Sequence, residues 1–379
     1  MKVILSIDPI KYPLTGIGRY TYELAKHLLE DELVERLCFL RGHHFVQSLP
    51  VPGESSSPIR SVRGLFLKSR LAVAFYQLFS SPLKAQCLRG KEDNVYHGPN
   101  FYLPRFGGPS VVTIHDLSVY AMSDCHPPER VRYMHDEIEL SLKRASMIIT
   151  DSEYTRKEVV EYFGWPLDKI RAVPLASSGD FFPRDENELE ILQTRYNVVP
   201  DGYCLFAGTI EPRKNILALL EAYELLPKAV RRHWPLVIVG YRGWNSEKLH
   251  QRLRQAENEG WLYYLGFVSA DELSILFAGA RMFVFPSLYE GFGLPVVEAM
   301  ASGVPVVCSN AASLPEVAGD AAALFDPSDV DALSSCIRVG LEDNQWREDA
   351  RRKGLVRASH FSWKRCAKET ALVYQDVVS

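Results

Sequence analysis

No run of apolar residues in the sequence approaches the ~20 that a membrane-spanning helix requires. The first apolar stretch, Met1 to Ile7, stops at Asp8 and Pro9, too soon for the apolar region of a secretory signal, and reads as a buried strand. Cysteine is sparse and scattered. Cys38, Cys87, Cys125, Cys204, Cys308, Cys336 and Cys366 include no C-x-x-C pair. That argues against a disulfide framework or a structural zinc site and suits packing thiols in a reducing cytoplasm. An excess of one charge is also lacking: 43 Lys and Arg stand against 47 Asp and Glu, a formal net charge of −4. Nucleic acid is therefore not an expected partner. Two further signatures are missing. The G-x-G-x-x-G fingerprint of dinucleotide binding is incomplete, because Tyr20 and Thr21 follow Thr15-Gly16-Ile17-Gly18-Arg19. The D-x-D at Asp329-Val330-Asp331 precedes a helical segment, where capping explains it better than metal binding. No His, Asp or Cys cluster has ligand spacing, so no essential metal is expected.

What is present is the material for two globular cores. The chain has 379 residues, 47% hydrophobic and 24% charged, enough for two domains of roughly 150–200 residues. Short runs rich in Val, Ile and Leu end in Gly or a polar turn and lead into helical patterns. Val3–Ile7, Val111–Ile114 and Met147–Thr150 form a first series. Tyr203–Ala207, Leu236–Val239, Tyr263–Leu265, Met282–Phe285, Val304–Cys308 and Ala322–Phe325 form a second. Apolar strands alternating with helices predict α/β domains with parallel sheets covered on both faces. An acidic stretch around Pro183, with Asp180, Asp185, Glu186, Glu188 and Glu190, puts the interdomain linker at about 175–200. Ligands are expected in the cleft at the carboxyl ends of the strands.

Three segments at such strand ends carry chemistry. The strongest is Tyr289-Glu290-Gly291-Phe292-Gly293-Leu294-Pro295-Val296-Val297-Glu298-Ala299. Its glycines let backbone approach a ligand, and the helix that follows offers free N–H groups to a phosphate. Glu290 in the loop and Glu298 about a turn into the helix are spaced to grip hydroxyls at two ends of an elongated ligand. The second is Gly208-Thr209-Ile210-Glu211-Pro212-Arg213-Lys214-Asn215, whose paired cations at a helix entrance suit a departing diphosphate. The third is the Thr15–Arg19 turn with Gly16 and Gly18. His115-Asp116 ends a strand and projects into the cleft, whereas His97 reads as a core histidine satisfied by a backbone carbonyl. Ser152 and Glu153 read as helix-capping residues.

The Glu290–Glu298 segment resembles the E-G-F-G-L-P-x-x-E motif of the retaining glycosyltransferase family 4, and the likeness runs through nearly the whole chain. The resemblance implies a GT-B fold of two Rossmann-like, doubly wound domains. The expected division is 1–180 (acceptor side), 181–360 (nucleotide-sugar side) and a helix in 361–379 crossing back, begun by Phe361-Ser362-Trp363. It implies a nucleoside-diphosphate sugar as substrate, with no cofactor. Glu298 would bind the ribose and Glu290 the sugar hydroxyls. Arg213 and Lys214 would hold the diphosphate, assisted by backbone from Gly291, Phe292, Gly293 and Leu294. The Gly16/Gly18 loop would close on donor or acceptor, and His115 would contact the sugar. Many family members have Gly-Arg where Gly208-Thr209 stands, so Arg213 reads as a substitute.

The Pro13–Thr21 and Gly208–Asn215 segments are similar to bacterial mannosyl- and rhamnosyltransferases of O-antigen and capsule assembly. That favours a GDP-linked donor and a lipid-linked saccharide acceptor. The basic, aromatic-rich stretch 60–91 is then weighed equally as a peripheral contact with the inner face of the membrane and as a packed helix with a charged outer face. A sugar-nucleotide epimerase or phosphorylase of the same fold, and a non-catalytic sugar-nucleotide-binding subunit, remain alternatives.

Overall fold

A computed structural model describes residues 1–14, 16–51, 83–244 and 246–378. Its strands form two sheets. The first contains β1 (Lys2–Ser6), β2 (Arg36–Arg41), β3 (His44–Val46), β4 (Val95–Gly98), β5 (Ser110–Ile114), β6 (Met147–Thr150) and β7 (Ile170–Ala172) in the order β3-β2-β1-β4-β5-β6-β7. The second contains β8 (Cys204–Ala207), β9 (Leu236–Val239), β10 (Leu262–Gly266), β11 (Met282–Phe285), β12 (Val306–Ser309) and β13 (Ala322–Phe325) in the order β10-β9-β8-β11-β12-β13. All pairings are parallel except β2 with β3. Central strands such as β5, β8 and β11 are buried at every residue, which is why they read as unbroken apolar runs. In each sheet the order reverses once, between β1 and β4 and between β8 and β11. Such reversals open a crevice at the carboxyl ends of the strands.

Two local expectations change. Gly16 and Gly18 do not form a loop: they lie in the first turn of the helix Gly16–Leu28, which buries Tyr20, Leu24, Ala25 and Leu28. The segment expected as a linker contains the helix Glu186–Tyr196. Asp185 and Glu188 form a reciprocal capping box there, so the acidic run is a helix start favoured by the dipole. Leu189 and Leu192 anchor that helix in the core, and Arg184 donates to Ser274 Oγ at 3.1 Å. Strands β2, β3, β4 and β7 are not legible in the sequence. Of the basic stretch 60–91, residues 60–82 lie outside the described residues. Lys84 pairs with Asp8, and the Lys91 ammonium stands 5.2 Å from the Phe45 ring centre, so these two cations are engaged within the protein. No helix among the described residues is long and apolar enough to cross a membrane.

The last helix, Trp363–Asp376, packs on Gly16–Leu28 and so returns the end of the chain to the first lobe. Its Tyr374 hydroxyl lies 2.6 Å from His97 Nδ1, and His97 Nε2 lies 2.8 Å from Thr113 Oγ1. Thr113 in turn bonds the Tyr20 hydroxyl at 2.9 Å. His97 is indeed a core histidine, but two hydroxyls satisfy it rather than a carbonyl. Burial, with some help from His115, pushes it down to about 3, so the ring is neutral. Tyr374→Phe leaves one buried ring nitrogen unpaired and is expected to cost about 1–3 kcal/mol. Urea unfolding checks this; an unchanged midpoint would mean the bond contributes nothing.

Candidate active site

The loops that follow β8 and β11 meet where the second sheet reverses. Lys214 Nζ donates to Glu290 Oε1 at 2.6 Å, and Arg213 Nη1 donates to Glu290 Oε2 at 2.8 Å. The same guanidinium reaches Tyr289 O at 2.5 Å and Glu211 Oε1 at 2.9 Å. A short 3₁₀ turn, Pro212–Lys214, closed by left-handed Asn215, brings the two cations to one side. Glu211, Lys214 and Glu290 are all buried. Burial alone would raise the Glu290 carboxyl, but Arg213 and Lys214 outweigh it and hold it at about 2. Burial lowers the Lys214 ammonium, Glu290 opposes this, and Arg213 adds to the lowering. The sequence reading gave Glu290 and the cations separate parts of the ligand. The structure joins them in one cluster of two cations and two carboxylates.

Both glycines of the motif are required, for different reasons. Gly293 has φ +104°, a left-handed conformation that strains any side chain. A Cβ on Gly291 would sit 1.9 Å from His115 O and 2.8 Å from Asp116 Cβ. The motif loop thus lies directly against the first lobe. Ser152 Oγ donates to Gly291 O at 2.7 Å, and Ser313 Oγ to Glu290 O at 2.8 Å and Phe292 O at 2.9 Å. Ser152 also caps its own helix, Glu153–Phe163, by accepting from Thr155 N at 3.1 Å, and Asp329 caps the helix Val330–Glu342. The motif helix Leu294–Ala301 starts with no side-chain cap; Pro295 has no N–H and Val296 N donates to Gly293 O at 2.9 Å, so Leu294 carries the N–H that can face a ligand there. The Phe292 ring is buried edge-on against Phe361 at 5.6 Å and Leu294 packs on the core. Only their backbone can serve a ligand as expected.

Glu298 is half-buried, and its side-chain carboxyl has no hydrogen bond or ion pair among the described residues. Burial pushes it up to about 7 against the pull of Arg19, which comes from the other lobe. His115 differs from expectation. Its Nδ1 lies 2.8 Å from Asp151 Oδ2 and its Nε2 2.9 Å from Pro99 O, two acceptors. Both ring nitrogens therefore donate, which is the imidazolium form. Burial lowers its pKa, but Asp151 and the Pro99 carbonyl raise it more. In this arrangement neither ring nitrogen is available to a sugar.

Several contacts between the lobes were not found from sequence. The Tyr289 hydroxyl donates to Glu158 and accepts from Leu117 N at 3.0 Å. Glu316 accepts from Glu153 N at 2.9 Å and Tyr154 N at 3.0 Å, at the start of a helix in the other lobe. Trp244 Nε1 donates to Cys125 O at 2.6 Å. Partners more than a hundred residues apart leave no local signal; Tyr289, beside Glu290, and Glu153, at its helix start, stand out by position, but their partners do not. Among the described residues, no three His, Cys, Asp or Glu side chains group as metal ligands do.

Residues 14–176 match the Glycosyltransferase Family 4 domain, and residues 196–356 match the domain of Glycosyl transferases group 1. The chain belongs to this glycosyltransferase family. The O-antigen chain mannosyltransferase B of Escherichia coli is 45% identical over 99% of this chain and 100% of that protein. The serotype-specific mannosyltransferase WbdA of Escherichia coli is 29% identical over 93% of this chain and 45% of WbdA. Among solved structures, Anabaena HepE in complex with UDP-glucose has a TM-score of 0.73 at 17% identity, covering 99% of this chain and 100% of that one. WaaG, a glycosyltransferase involved in lipopolysaccharide biosynthesis, gives 0.68 at 16% identity, covering 97% and 98%. The fold is GT-B, and the protein is a glycosyltransferase.

The raised Glu298 carboxyl has a consequence for stability. The folded state holds its proton up to about pH 7, whereas an ordinary carboxyl loses it near 4.5. The stability this gives is complete below 4.5 and lost as pH rises through 7. Glu298→Gln is therefore expected to stabilise the protein relative to the parent at pH 7.5, by up to about 3 kcal/mol, and far less at pH 5. Urea unfolding at the two pH values checks this. An equal difference at both would show that Glu298 titrates normally.

Proposed function

We propose that the protein transfers mannose from GDP-mannose to a hydroxyl of a lipid-linked O-antigen saccharide, with retention at the anomeric carbon and no essential metal. The observation that carries this reading is the 45% identity to an O-antigen mannosyltransferase along the whole chain. Mannose is favoured over rhamnose because the two relatives described above are both named as mannosyltransferases. The geometry supports a donor lying across the switch point of the second sheet. Glu298, half-buried and unpaired, takes the ribose hydroxyls. Arg213 and Lys214 turn toward the diphosphate, with backbone N–H of the Gly291–Leu294 loop at the helix start assisting. Glu290, released from part of its ion pairing, accepts from the sugar. The acceptor oxygen bonds to the anomeric carbon on the face from which the diphosphate leaves, and its proton passes to the departing phosphate oxygen. No side-chain nucleophile is needed for that step. His115 orients the wall through its held ring and its carbonyl. A lipid-linked acceptor puts the enzyme at the inner face of the membrane as a peripheral protein.

Removing one preorganised charge contact costs about 10²–10³-fold in rate. Glu290→Ala also strands buried cations, at about 3–5 kcal/mol, so Glu290→Gln is the cleaner variant. Transfer from GDP-mannose to a lipid-linked mannosyl acceptor is expected to fall by about 10²–10³-fold in both Glu290→Gln and Lys214→Ala, with cooperative unfolding retained. Near-parental transfer in both would remove the assignment, and turnover of UDP-glucose in preference to GDP-mannose would overturn the donor.

A further inference from the structure

Beside the ion cluster, and lined in part by Glu211 of that cluster, the second lobe carries a depression of about 460 Å³. Pockets that hold small ligands span about 300–1,000 Å³. Its floor is apolar, made by Pro212, Ile216 and Leu249, while Glu211, Asn215 and Glu247 bring hydrogen-bonding groups to it. Two loops fix its shape. Gly243 N donates to Ile210 O at 3.0 Å, and a Cβ on Gly240 would lie 1.8 Å from Gly208 O, so the loops after β8 and β9 are packed backbone to backbone. The helices Ile216–Leu225 and Glu247–Asn258 start from these loops and form the two sides.

The chemistry of this hollow selects its occupant. Glu211 is paired with Arg213, and Glu247 with Arg242 at 3.7 Å. Lys248 is the one lining cation not offset by these pairs, so among the described residues the hollow has no cluster of free cations of the kind that holds a phosphate. Its carboxylates make it unsuited to a lipid tail. Carboxylates and an amide above an apolar floor match a pyranose ring, which offers hydroxyls at its edge and C–H groups on its face. Glu211 uses Oε1 for Arg213. Glu211 itself lines the depression, and no hydrogen bond to its Oε2 is formed by its neighbour Arg213, which uses Oε1 alone. Asn215 commits its Nδ2 to Pro327 O at 2.9 Å, leaving its Oδ1 to accept.

We propose that this depression is a saccharide subsite that holds a hexose unit of the acceptor glycan one or more residues away from the reacting hydroxyl. The proposal rests on the acceptor being a glycan, as argued above. Glu211 joins the subsite to the cation cluster through one carboxylate, so a glycan seated there lies next to the reaction centre.

Leu217 lines the hollow at the surface and is 44% exposed, so a larger side chain there fills the space without entering the core. Glu247 is exposed as well. Binding of α-linked mannopentaose, followed by ligand-observed NMR with no donor present, tests the subsite. The parent protein is expected to bind it, and Leu217→Trp and Glu247→Ala each about tenfold more weakly. Affinity for GDP-mannose and the unfolding midpoint are expected to stay at the parental values in both. Absence of binding by the parent, or equal binding by parent and both variants, overturns the subsite. A parent that binds mannopentaose but does not use GDP-mannose keeps the subsite and removes only the donor reading.

Discussion

Glu290 is a carboxylate taken out of water between Lys214 and Arg213, and the organisation of the second lobe can be followed outward from it. An isolated buried charge is costly, and it persists here because two cations neutralise it and Glu211 balances the second of them. The cations reach it because β8 and β11 are neighbours in the sheet although about 80 residues apart in sequence, a consequence of the order β10-β9-β8-β11. The cluster is balanced, two cations against two carboxylates. On the proposed function, an incoming diphosphate would redistribute this pairing rather than build a site from solvent.

The first lobe is part of that site. Gly291 is small because the His115 carbonyl occupies the position of its missing Cβ, and Ser152 binds the Gly291 carbonyl from the same side. Tyr289 reaches across to Glu158 and Leu117, and Glu316 seats on the start of a helix in the opposite lobe. The loop that carries Glu290 is therefore clamped on one side by its own sheet and on the other by the tips of β5 and β6. His115, doubly hydrogen-bonded and buried, contributes rigidity to that clamp. The helix Trp363–Asp376 adds a second tie by burying Tyr374 against His97.

The fold is legible where an unbroken apolar run ends in turn residues, in buried strands and at the partly exposed edge strand β13 alike. Met147–Thr150, Leu236–Val239, Met282–Phe285 and Ala322–Phe325 were bounded to the residue from apolar runs ending in turn residues. Strands interrupted by polar residues or glycine are not: β3 exposes His44 and Phe45, β2 mixes Arg36 and Arg41 with its apolar residues, and buried β4 follows Val95 and Tyr96 with His97 and Gly98, so none shows a clean pattern. The acidic run near Asp185 was read as a linker because composition alone does not distinguish a capped helix start from a loop. Within the site, Glu290, Arg213, Lys214 and Glu298 were picked out because each lies beside a glycine or proline turn at a strand end. Their mutual pairing was not, since it depends on strand order. The two engaged nitrogens of His115 and the partners Glu158 and Glu316 belong to tertiary contacts that no local spacing encodes, whereas Glu211 pairs with Arg213 only two residues away.

The central claim is that the Glu290–Lys214–Arg213 cluster is where a sugar nucleotide's diphosphate is received. A crystal structure of the protein with GDP tests it most directly. The account predicts diphosphate oxygens within hydrogen-bonding distance of Lys214 and Arg213, the ribose on Glu298, and a lengthened Glu290–Lys214 contact. A diphosphate bound elsewhere, with that contact still at 2.6 Å, would contradict it.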